Sequence, residues 1–109
     1  MRLFLLFALL AIASNPALAQ TKRIVALGDS LTAGYGLQSG EDFASKLQES
    51  LIREGLDVRI DNAGISGDTT AGGLARLDRA IEGEQRPDLV LVALGANDML
   101  RGIDTAITK

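Results

Sequence analysis

The sequence predicts an α/β fold built on a parallel sheet, and three observations carry that prediction. Short apolar runs rich in β-branched residues alternate with amphipathic stretches at helical spacing. The order reads β-α-β-α-β, which implies parallel strands joined by right-handed crossovers. A glycine-containing polar loop follows each apolar run. The three loops therefore gather at the edge of the sheet where open parallel sheets hold their ligands.

Each element has its own signature. Ile24-Val25-Ala26-Leu27 is a continuous apolar run closed by Gly28, as in a strand buried on both faces. Phe43, Ala44, Leu47, Leu51 and Ile52 then recur at helical spacing, and Gly55 falls where a C-terminal cap belongs. Residues 58–60 form a second, short strand. Leu74, Leu77 and Ile81 mark a second helix, with Asp68, Thr69 or Thr70 available to cap its start. Arg76 and Arg79 are expected on its solvated face. Residues 89–94 are the strongest candidate for a buried strand, and Gly95 ends them. Residues 100–109 read as the start of a third helix.

Composition bounds the rest. The chain has 109 residues, 47% hydrophobic and 23% charged, which suits one small globular domain. The net charge is −3 and Lys and Arg do not cluster, which argues against a nucleic-acid partner. No Cys is present, which excludes a disulfide framework, a thiolate zinc site and a cysteine nucleophile. Residues 1–19 read as a secretory signal peptide. Arg2 gives a positive start, residues 3–13 are apolar, Asn15-Pro16 breaks a helix, and Ala17-Leu18-Ala19 is a small-x-small cleavage signature. Cleavage after Ala19 would leave a periplasmic or extracellular chain starting at Gln20. The apolar run is too short for stable membrane insertion, which needs roughly 20 residues.

The chemistry gathers in the loops Gly28-Asp29-Ser30-Leu31-Thr32-Ala33-Gly34-Tyr35-Gly36, Asn62-Ala63-Gly64-Ile65-Ser66-Gly67-Asp68-Thr69 and Gly95-Ala96-Asn97-Asp98. Turn statistics alone explain Gly and Asp in any one of them. They do not explain three similar loops at one edge. Gly28-Asp29-Ser30-Leu31, Gly67 within Ile65-Ser66-Gly67-Asp68-Thr69, and the G-x-N-D of Gly95-Ala96-Asn97-Asp98 resemble, in order and context, the first three blocks of the GDSL (SGNH) hydrolase family.

The resemblance implies a flavodoxin-like three-layer α/β/α fold and hydrolysis of small carboxylic esters or thioesters. Aryl, short-chain acyl and lysophospholipid esters fall within that range. It implies Ser30 as nucleophile, with the Gly67 N–H and the Asn97 side-chain amide as oxyanion donors. Gly28, Asp29, Asp68, Gly95 and Asp98 are supporting residues, and no cofactor or metal is implied. The physical reading agrees, because acyl transfer needs a nucleophile and donors aimed at the developing oxyanion. The Ser30 N–H would be a further donor, and each donor is typically worth ~3 kcal/mol in the transition state. The loop is not the G-x-S-x-G elbow, since Thr32 stands at the second glycine position. Ser66, between Ile65 and Gly67, is a decoy for that motif, and Gly34-Tyr35-Gly36 does not directly follow a strand as a dinucleotide fingerprint must.

The family's base and its orienting acid form a D-x-x-H block near the C-terminus, and this chain contains no His. The chain is therefore expected to be an N-terminal portion, lacking the C-terminal part of the fold and inactive, or nearly so, alone. Two other readings compete. One is a non-catalytic acyl-binding pseudoenzyme. The other is a carboxylate-based Mg²⁺ domain in which Asp29, Asp68 and Asp98 converge.

Overall fold

A computed structural model describes residues 20–108, so the expected leader at 1–19 lies outside the described residues. The elements are β1 (Lys22–Gly28), α1 (Ser30–Ala33), α2 (Phe43–Arg53), β2 (Val58–Gly64), α3 (Thr70–Ile81), β3 (Leu89–Ala93) and α4 (Ala96–Leu100). The three strands form one parallel sheet in the order β2-β1-β3. β1 lies in the middle, which is why its apolar run is the core: Val25 and Ala26 are fully buried, and Ile24 and Leu27 nearly so. Helix α2 packs on β2, and α3 packs on β1. The chain winds out from β1 to β2 and returns across β1 to reach β3. Right-handed crossovers in opposite directions put α2 and α3 on opposite faces. The direction of winding reverses between β1 and β3, and the crevice at such a reversal is where these sheets bind ligands.

Local sequence sets the helix ends. Asp42 caps α2 by accepting from Ser45 N–H at 3.0 Å. Gly55, at φ +86°, closes that helix, with Leu56 N–H donating to Leu51 C=O at 3.1 Å and Gly55 N–H to Ile52 C=O at 3.0 Å. Thr69 caps α3 through its hydroxyl, which accepts from Gly72 N–H at 3.1 Å.

Four elements differ from their sequence signatures. The second strand runs on to Gly64, because it pairs residue for residue with β1 from Lys22↔Val58 to Gly28↔Gly64. Backbone pairing carries Asp61 and Asn62 into a strand that their side chains do not favour. The first loop contains a short helix, α1, at Ser30–Ala33. The last helix starts earlier than expected, at Ala96, and the chain after Leu100 forms turns. β3 is not the most buried strand. It pairs with β1 alone, and Leu89 and Val92 are 48% and 64% exposed. Apolarity becomes burial only where other layers cover a strand, and among the described residues β3 lacks that cover.

One buried charge sits at the end of the sheet away from the loops. Arg23 donates through Nε to Asp61 at 2.7 Å and through its two terminal nitrogens to the carbonyls of Ile81, Glu82 and Gln85. Four acceptors satisfy its guanidinium, as burial of a charge requires.

Candidate active site

The three strands finish level. Gly28 pairs with Gly64 on one side and with Ala93 on the other. A Cβ on Gly28 would collide with the Thr32 side chain, so glycine there lets α1 fold back onto the strand end. Ser30 is the first residue of α1, and Asp29 is its cap. The buried Asp29 carboxylate accepts from Leu31 N–H at 3.0 Å, which leaves the Ser30 N–H without a partner among the described residues. Ser30 itself is half-buried.

The second loop turns on Gly67. Asp68 N–H donates to Ile65 C=O at 3.1 Å, and Gly67 is the third residue of that turn, with φ +83°. A side chain at such a φ is strained, so glycine fits the position. The Gly67 N–H has no partner among the described residues, while its carbonyl accepts from Arg101 Nη2 at 2.6 Å. Ser66, the second residue of the turn, is exposed.

The third loop begins at Gly95, at φ +118°, and carries Asn97 on α4. Asn97 Nδ2 donates to Asp68 C=O at 2.9 Å, which ties the third loop to the second and uses one of its two amide hydrogens. Asp98 is 2% exposed and accepts from Thr70 N–H at 2.8 Å and from Thr70 Oγ1 at 2.7 Å. Burial pushes its carboxyl up, but the Thr70 hydroxyl and amide, its own backbone amide and the Arg101 charge outweigh that. The carboxyl is held below the usual carboxylate range.

Arg76 is the residue that sequence reasoning misplaced. It is not on a solvated face. Its Nε donates to Asp68 Oδ2 at 2.7 Å, Nη1 to Ala63 C=O at 2.8 Å and Nη2 to Gly28 C=O at 3.0 Å. The Arg76 and Asp68 side chains are only 19% and 12% exposed. One guanidinium thus joins the ends of β1 and β2 to the residue after Gly67. The reason is the path of α3, which crosses the sheet over β1. A signal was present in the sequence. Gly72 lies one turn before Arg76 on the same face, and glycine inside a helix marks close packing on that face.

Asp29, Asp68 and Asp98 do not converge. Each is taken by a separate partner: Leu31 N–H, Arg76 and Thr70. Among the described residues no group of three or more His, Cys, Asp or Glu could hold a metal ion, so the Mg²⁺ reading has no site there.

The geometry sets a half-buried serine hydroxyl at the reversal point of the sheet. Three N–H groups, from Ser30, Gly67 and Asn97, are unengaged among the described residues and belong to loops held in place by Asp29, Arg76 and Asp98. Such a set suits attack on a carbonyl carbon and stabilisation of the resulting oxyanion. The model of the GDSL-like lipase/acylhydrolase family matches residues 26–109. The chain belongs to this family. It is 44% identical over 106 residues to "Esterase TesA" of Pseudomonas aeruginosa, covering 97% of this chain and 52% of that protein. It is 48% identical over 82 residues to "Arylesterase" of Vibrio mimicus, covering 75% of this chain and 40% of that one. Among solved structures, AlinE4, an SGNH-hydrolase family esterase, superposes with a TM-score of 0.79 at 45% identity, over 84% of this chain and 49% of that one. The fold is thus the α/β fold of the SGNH hydrolases. The chain spans about half the length of the curated relatives it matches.

Proposed function

We propose that Ser30 is the nucleophile of a serine ester hydrolase that works through an acyl-enzyme. The observation that carries this reading is the set of three donors around the level strand ends, Ser30 N–H, Gly67 N–H and one Asn97 amide hydrogen, unengaged among the described residues. Ser30 Oγ attacks the ester carbonyl carbon and gives up its proton to a base. The three donors hold the oxyanion. The bond to the leaving oxygen or sulfur then breaks, the leaving group takes the proton, and water releases the acid in a second, equivalent attack.

The base is not among these 109 residues, since they contain no His. Removing the histidine of a serine hydrolase costs on the order of 10⁶ in kcat, so the chain alone should stay at background. The acyl donor is a small carboxylic ester or thioester. Support for that class comes from the relatives, whose names are esterase, arylesterase and "Thioesterase 1/protease 1/lysophospholipase L1". Export by residues 1–19 would place the enzyme outside the cytoplasm.

The test is a hybrid in which residues 20–108 replace the matching half of Esterase TesA from Pseudomonas aeruginosa, assayed with p-nitrophenyl butyrate. Turnover that disappears on Ser30→Ala is the expected result. Turnover that survives Ser30→Ala, or a folded hybrid with none, defeats the reading. Ser30-dependent turnover by the 109-residue chain alone would show that the base lies within it.

A further inference from the structure

We propose that Arg101 is a positioning residue for the oxyanion site, holding the Gly67 turn so that the Gly67 N–H faces the carbonyl that Ser30 attacks. The kinetic arm of the proposal rests on the function proposed above; the structural arm does not. Arg101 lies four residues after Asn97, and its N–H donates to Asn97 C=O at 3.0 Å. Residues four apart share one face of a helix, so both side chains leave α4 toward the second loop. There they take successive carbonyls. Asn97 Nδ2 donates to Asp68 C=O at 2.9 Å, and Arg101 Nη2 to Gly67 C=O at 2.6 Å. Asp68 N–H closes the turn onto Ile65 C=O. Three consecutive backbone groups, Gly67 C=O, Asp68 N–H and Asp68 C=O, are thus bonded. The Gly67 N–H just ahead of them has no partner among the described residues.

Gly67 needs this help because of what it is. Glycine populates positive and negative φ about equally. At the third position of a turn, the two signs of φ give turn types whose central peptide faces opposite ways. That central peptide carries the Gly67 N–H, so glycine alone does not choose the direction of the donor. Arg101 acts on the choice from two sides. It fixes the peptide after Gly67 through the carbonyl, and its Nη2 lies 3.5 Å from where a Gly67 Cβ would stand, against the turn. Arg101 is itself held. Gly102, at φ +65°, ends α4, with Gly102 N–H donating to Met99 C=O at 3.1 Å and Ile103 N–H to Asp98 C=O at 2.9 Å. Among the described residues Arg101 forms no ion pair, so its charged nitrogen is spent on a backbone carbonyl.

The experiment uses the hybrid esterase described above. Arg101→Met should lower kcat for p-nitrophenyl butyrate by about 10- to 100-fold, since a misplacement of about 1 Å can cost 10²-fold. KM should stay within about twofold, because the lost interaction is made in the transition state. A trifluoromethyl ketone, which forms a tetrahedral adduct on serine, should lose affinity by the same factor as kcat. Arg101→Lys keeps a cationic donor on a long stem and should restore most of the loss. Arg79→Met, at an exposed position of α3, should match the parent. Arg101 is exposed, and circular dichroism checks that each variant is folded at the assay temperature. A purely structural role would lower the urea midpoint and leave kcat of the folded protein unchanged. By ¹⁵N relaxation, the Gly67 N–H order parameter should fall from about 0.85 in the parent to below about 0.6 in Arg101→Met. A kcat and inhibitor affinity equal to the parent's in Arg101→Met, or a Gly67 order parameter equal to the parent's, would overturn the proposal. Parent turnover that survives Ser30→Ala counts against the proposed function alone, and the Gly67 order parameter then decides the role of Arg101.

Discussion

Replacing Arg76 with Met should destabilise the fold far more than a change on the exposed side of α3. The substitution keeps the aliphatic stem and removes the guanidinium. Asp68, 12% exposed, is left as an unpaired carboxylate, and the carbonyls of Ala63 and Gly28 each lose a charged donor. Breaking a fully buried ion pair costs about 3–5 kcal/mol. The Arg76 side chain is 19% exposed, so water recovers part of that, and about 2–4 kcal/mol is expected. Against a typical domain stability of roughly 5–15 kcal/mol this is a large fraction. For a domain of this size each kcal/mol moves Tm by about 4–8 °C. Urea unfolding followed by circular dichroism measures the loss. Arg76→Lys should fall in between, because an ammonium cannot reach all three acceptors. Arg79→Met, at an exposed position on the same helix, should stay within about 0.5 kcal/mol of the parent. An Arg76→Met protein within 1 kcal/mol of the parent, on the order of an exposed ion pair, would refute the clamp.

Three further outcomes follow from the same geometry. Asp98 and Asp42 are both held below the ordinary carboxylate range, Asp42 by the hydroxyl and amide of Ser45. Their contribution is complete above the unfolded value of about 3.9 and is lost as pH falls through the lower folded values. Thermal scans should therefore show Tm dropping below about pH 4, and Asp98→Asn should flatten that drop. Asn97→Ala in the hybrid esterase should lower kcat by about 10²–10³ with KM little changed, as for other oxyanion donors, measured by steady-state kinetics. Gly67→Ala should cost about 1–2 kcal/mol in urea unfolding, because its φ of +83° is unfavourable for a residue with a Cβ.

Much of this was legible in the sequence because the signals were local. The apolar run 24–27, the cap at Gly55 and the glycine-rich loops each depend on a few neighbouring residues, and all lie where expected. Signals that depend on distant partners were not legible. Asp61 and Asn62 are strand residues only because β1 runs alongside them. The apolar run 89–93 reads as buried, yet exposure is decided by what covers it. Arg76 reads as a surface charge until α3 is seen to cross the strand ends. For the site, the sequence placed Ser30, Gly67 and Asn97 on three separate loops. The Asn97–Asp68 bond, the Thr70–Asp98 pair and the Arg76 clamp that join those loops required the fold.

The central claim is that Ser30 becomes nucleophilic when a base is supplied to this half-site. Covalent labelling tests it most directly. The hybrid esterase is treated with a fluorophosphonate probe, digested, and mapped by mass spectrometry. A single labelled peptide carrying the probe on Ser30, absent in the Ser30→Ala variant, is the predicted result. Probe on Ser66, or labelling of the hybrid that is indifferent to Ser30→Ala, would contradict it.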